Sequence, residues 1–134
     1  MAIKTEIDIE RDFYLMLESS ELGKALKGKV YRDEMRPADA MTEDIVCKFI
    51  AGIDDQIQSG IVVCNIYVPD QTKKGGKKVK DFNRIGELQR LAMNLLGVTS
   101  EYKIATDASM TTIPVEGIEQ HMIVLRLKFE RISD

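Results

Sequence analysis

Apolar residues along the chain fall into two helical stripes and several alternating runs. From Thr5 onward, Ile7, Ile9, Phe13, Met16 and Leu17 recur at helical spacing and leave Glu6, Glu10, Arg11 and Glu18 for water, which predicts a first helix. Thr5 followed three positions later by Asp8 is a capping-box pattern, and the acidic first turn suits the helix dipole. Ser20 can cap a second short turn over residues 21–27, which Gly28 would end. A longer stripe of Phe82, Ile85, Leu88, Leu91, Ala92 and Leu95 predicts the main packing helix. Its pattern places Phe82 in the core and Gly97 at the C-terminal cap.

The strand signals lie between and after these stripes. Residues 29–32 read as a short strand that the Pro37 region ends. In 43–50, EDIVCKFI, the residues Ile45, Cys47 and Phe49 share one face, whereas 61–68, IVVCNIYV, is apolar on both faces and reads as a central strand. Gly52, Asp54, Asp55, Ser59 and Gly60 supply turn formers between them, so an antiparallel hairpin with a long loop is expected. Residues 102–106 and 111–115 are weaker strands, and Pro114 demotes the second to an edge. Residues 121–132 alternate, with Ile123, Leu125, Leu127 and Phe129 on one side and Arg126, Lys128 and Glu130 on the other. Strands and helices do not alternate regularly, so the expected class is α+β: a mostly antiparallel sheet of about five strands with two main helices packed on one face.

A length of 134 residues suits one domain with one core, and needs no disulfide or structural metal to be stable. No apolar run approaches the roughly 20 residues of a membrane span, and the acidic N-terminus does not read as a signal peptide, so a cytoplasmic protein is expected. Nineteen basic against 22 acidic side chains, a net charge of −3, argue against wholesale wrapping by nucleic acid but allow a local basic patch. The patch is in QTKKGGKKVKD, where Lys73, Lys74, Lys77, Lys78 and Lys80 surround Gly75-Gly76. This reads as a flexible loop over 71–80 able to reach phosphates or an acidic partner.

Covalent chemistry finds little support. The single histidine, His121, has only Glu116 and Glu119 as nearby acids, and no metal-ligand spacing accompanies it. Glu43-Asp44 and Asp54-Asp55 are sequence neighbours that point to opposite faces if in strands, so neither is an acid/base dyad, and both read as solvated or turn-forming. Cys47 and Cys64 fall opposite each other if the hairpin is symmetric, where burial as small hydrophobes is expected. No phosphate-loop, dinucleotide or nucleophile-elbow motif is present, so no catalytic residue, cofactor or metal site is assigned.

The stretch GKVYRDEMRPADAMTEDIVCKFIAG, a polar loop with Gln56 and Gln58, and GIVVCNIYVPD, within this order of elements, resembles the tail-terminator or tail-completion family of long-tailed phages and prophages. The resemblance implies a structural assembly protein that forms a ring on the tail tube, self-associates, meets tube or connector proteins, uses no cofactor and is virion-associated. The alternative is a nucleic-acid or acidic-ligand binding module that uses the lysine segment.

Overall fold

The computed structural model describes residues 3–132. Helix α1 (Glu6–Ser19) starts where the capping box predicts. The Thr5 hydroxyl accepts from the Asp8 N–H at 3.2 Å while the Asp8 carboxylate accepts from the Thr5 N–H at 3.3 Å. Ile9, Phe13 and Leu17 are buried. Ile7 is not part of that stripe and is 56% exposed, because two residues at about 100° each carry it to the far side of the helix from Ile9. A short helix α2 (Glu21–Ala25) follows, capped by the Ser20 hydroxyl on the Gly23 N–H.

Strand β1 (Val30–Arg32) pairs in parallel with β2 (Asp44–Ile53), so residues 33–43 form a crossover. β2 turns back antiparallel into β3 (Ser59–Pro69). Both strands run further than the turn formers suggest: Ala51–Ile61, Gly52–Gly60 and Ile53–Ser59 remain paired beyond a bulge at Phe49/Ala51, and the loop shrinks to residues 54–58. The lysine segment is not an open loop. It folds as a small hairpin of β4 (Gln71–Thr72) and β5 (Lys78–Val79), whose turn uses Gly75 and Gly76 at φ +90 and +85.

Helix α3 (Phe82–Ala92) buries Ile85, Leu88 and Ala92 and ends in a 3₁₀ turn at Met93–Leu95. Gly97 therefore does not cap it but opens β6 (Gly97–Val98). Phe82 is 61% exposed. It occupies the first helical position, turned away from the core, with the Lys80 ammonium 5.1 Å from its ring centre.

The last strands are β7 (Tyr102–Thr106), β8 (Thr111–Pro114) and β9 (Gln120–Arg131). The main sheet has seven strands rather than about five, in the order β1-β2-β3-β9-β7-β6, and is antiparallel except at β1. β7 and β8 share the outer side of β9, β7 along Leu127 to Arg131 and β8 along His121 to Val124. The fold is α+β with both long helices on one face. Ile45, Cys47, Val62, Cys64, Ile66, Ile104, Ile123, Leu125, Leu127 and Phe129 pack there against Ile9, Phe13, Leu17, Ile85 and Leu88 in one core. No helix among the described residues is long and apolar enough to cross a membrane.

Candidate interaction surfaces

Strand register fixes what lies on the sheet's second face, opposite the helices. One row runs across five strands, Tyr31–Val46–Asn65–Val124–Thr111, and a second holds Lys48, Val63 and Arg126. Below these come Ile61 with Lys128 and Ala105, then Ile53, Ser59, Glu130, Lys103 and Val98. None of these residues belongs to the helix-side core, and Val46, Ile61, Asn65 and Val124 are only half-buried. Asn65 Oδ1 is buried without a hydrogen-bond donor. Lys48, Lys103 and Lys128 are exposed and outnumber Glu130, so the face is apolar at its centre and cationic around it.

The crossover 33–43 covers one end of this face. The Arg36 guanidinium lies 3.9 Å from the Tyr67 ring centre and donates to Asp44 Oδ2 at 2.9 Å, to the carbonyls of Ala40 and Thr42, and to Gln120 Oε1. The two adjacent acids divide between the faces. Asp44 meets Arg36 on this side, and Glu43 meets the Arg84 guanidinium on the helix side through two bonds of 2.6 and 2.8 Å. Both acids are buried, which corrects the reading of this pair as solvated. Each found a partner because strand alternation sends neighbours to opposite faces. Asp54 and Asp55 are exposed in the hairpin turn, as expected.

Burial acts to raise the Asp44 pKa, but the Thr42 hydroxyl, the Lys29 N–H and Arg36 outweigh it and hold the carboxyl below its ordinary 3.8. At the other end of the sheet Glu101, also partly desolvated, is held below 4.5 by Lys4 and Arg131. A depressed carboxylate stabilises the fold above its unfolded pKa, and that stabilisation disappears as pH falls through the folded value. Unfolding midpoints should therefore be level from pH 7 to about 5 and drop steeply below about 4. Urea titrations at fixed pH check this, and the slope of the acid limb should flatten in Asp44→Asn.

His121 meets neither Glu116 nor Glu119. Its Nδ1 lies 2.6 Å from Asp70 Oδ1, across the ends of β3 and β9. Sequence reasoning missed this pairing because Asp70 precedes His121 by 51 positions, and the available signal was the register that puts Val68 opposite His121. An oriented imidazole can pass a proton, yet the shallow groove of about 330 Å³ beside it, lined by Lys27, Thr42, Glu43, Asp70, Asp81 and Arg84, presents no nucleophile activated by it. Among the described residues no group of three or more His, Cys, Asp or Glu side chains is placed to hold a metal ion.

Cys47 and Cys64 are direct cross-strand partners, as hairpin symmetry predicts, and both are free thiols. The hydrogen bond with Cys64 and burial together push the Cys47 thiol far up. Native protein is therefore expected to resist a thiol reagent such as iodoacetamide, with both cysteines labelled only in denaturant. Mass spectrometry reads the outcome, and labelling in buffer at a free-thiol rate would contradict it.

In the lysine hairpin, Lys78 Nζ donates to Thr72 Oγ1 at 2.7 Å and approaches Glu119 at 3.9 Å, and Lys80 sits over Phe82. Lys73, Lys74 and Lys77 lie at the tip, exposed, and have no ion-pair partner among the described residues. The five lysines expected to act together thus separate into three at the tip and two engaged at the base.

No family model matches the chain, and no curated protein matches it in sequence.

Proposed function

We propose that this chain is a structural assembly protein of a phage-like tail, of the tail-terminator kind, which joins copies of itself into a ring and meets a tail tube or connector protein. The observation that carries this reading is the open face of the sheet, a partly apolar surface bearing exposed lysines that the described chain leaves largely uncovered. Two further features support it. Among the described residues the outer edge of β2 is paired by β1 only from Ile45 to Cys47, so its stretch from Lys48 to Ile53 is unshared, and the outer edge of β8 has no strand beside it. A closed ring needs two unlike surfaces on each copy, and this protomer has several to offer. On this reading the protein is made in the cytoplasm, carried on the particle, and uses surfaces rather than a cofactor.

The test is light scattering over a concentration series, alone and with tail-tube protein. A ring-sized mass, or its appearance on contact with tubes, supports the reading, and a monomer under all conditions removes it.

The lysine hairpin favours one second reading, a module for nucleic acid or an acidic ligand, because Lys73, Lys74 and Lys77 are all exposed at the tip of a short hairpin. Binding that weakens with salt and is lost when these three become Ala would support it. Unchanged binding would discard it.

A further inference from the structure

The outer face of α1 matches the open sheet face in chemistry. Ile7 and Leu15 are 56% and 46% exposed on the side of the helix away from Ile9, Phe13 and Leu17. Around them Asp8 and Glu18 are exposed, and Arg11 lies between the two apolar residues. Among the described residues Arg11 has no hydrogen-bonding or ionic partner, whereas the nearby Asp12 and Glu10 are taken by Lys4 and Arg32. The surface is thus apolar, net acidic, and carries one unused guanidinium at its centre.

We propose that α1 of one copy docks, through this outer face, on the open sheet face of the next copy. Resting on the ring reading above, this names the contact that builds it. Two correspondences carry it. Ile7 and Leu15 meet Val46 and Val124 in one row and Ile61 two rows on, which removes exposed apolar surface on both sides from water. Asp8 and Glu18 face Lys48, Lys103 and Lys128, charges of opposite sign at the rims of the two patches.

The dimensions agree as well. From Ile7 to Leu15 the helix rises about 12 Å at 1.5 Å per residue, and the central strands β2, β3, β9 and β7 spread over roughly 14–15 Å at about 4.8 Å spacing. The helix then sits between two sheets, its own on the inner stripe and a neighbour's on the outer. Because the surfaces differ, the contact is head-to-tail, and its repetition closes into a ring or continues as a filament.

The test compares three full-length variants with wild type by sedimentation velocity, with thermal melts confirming that each is folded. Lys48→Glu/Lys128→Glu alters the sheet face and Asp8→Lys/Glu18→Lys the helix face, all at exposed positions. Each double variant should weaken self-association at least tenfold, and joining the four changes in one chain should restore most of it. Wild-type rings that form equally well in both double variants would overturn this contact and leave the ring reading standing. A wild-type chain that stays monomeric with tail-tube protein present would remove both. Loss in each double variant without recovery in the combined chain would also overturn the pairing, since two surfaces that meet each other must compensate.

Discussion

Replacing Asp44 by Ala is expected to cost about 3–5 kcal/mol in urea unfolding, the range for breaking a buried ion pair from one side. Asp44 is fully buried, with its partner Arg36 nearly so, and its carboxylate accepts from the Thr42 hydroxyl at 2.6 Å, the Lys29 N–H at 2.8 Å and Arg36 Nε at 2.9 Å. Removing it leaves the largely buried Arg36 charge without its counter-ion and the Lys29 N–H without its acceptor, which costs more than the bonds themselves contribute. The site leaves no slack. A Cβ on Gly28 would fall 2.0 Å from Asp44 Oδ1, so the chain needs glycine there for the carboxylate to reach the Lys29 N–H. Lysine at position 36 should not rescue function of the pair, because one ammonium cannot serve Asp44, two carbonyls, Gln120 and the Tyr67 ring together. The exposed Asp39→Ala in the same crossover is the control, expected within about 0.5 kcal/mol of wild type. Equal stability of the two variants would show that the crossover is held by something else.

What the sequence made legible follows from periodicity. Alternation in 121–132 correctly separated Ile123, Leu125, Leu127 and Phe129 from their charged neighbours, and hairpin symmetry placed Cys47 opposite Cys64. Those inferences need only local spacing. The buried charges were illegible because a carboxylate reads as solvated until its partner is known, and the Arg84 that meets Glu43 is 41 positions away. Ile7 misled for the opposite reason: an apolar residue near a stripe was assigned to it, although its angle on the helix points outward. That same residue now belongs to the proposed docking surface. The lysine hairpin hid because its strands are two residues long, but the Gly75-Gly76 pair was a fair signal of a tight turn. The open sheet face could not be seen at all until register put Val46, Asn65 and Val124 in one row, since each sits in a different strand.

The aromatic cluster at the far end of the core should prove as sensitive as the ion pair. Phe129 lies 5.5 Å from Phe13, 5.7 Å from Tyr102 and 6.3 Å from Phe49, so Phe129→Ala removes the ring that joins α1, β2, β7 and β9 and should cost about 3–5 kcal/mol. Gly60 is coupled to it. A Cβ there would meet the Phe129 ring at 2.9 Å and the Ala51 carbonyl oxygen at 2.4 Å, so Gly60→Ala should destabilise by about 1–3 kcal/mol through overpacking. Part of that cost comes from the ring, which makes the pair a double-mutant cycle: in the Phe129→Ala background the Gly60→Ala penalty should shrink, and the remainder belongs to the Ala51 carbonyl. Strictly additive costs would mean the ring imposes nothing on position 60. The coupling bears on assembly because Gly60 pairs with Gly52 in the distal half of the β2–β3 hairpin, the part that carries the unshared edge and Ile53. A variant loosened here should lose self-association at temperatures well below its global melting point, while one loosened at Asp44, beside the opposite end of the sheet, should lose the two together.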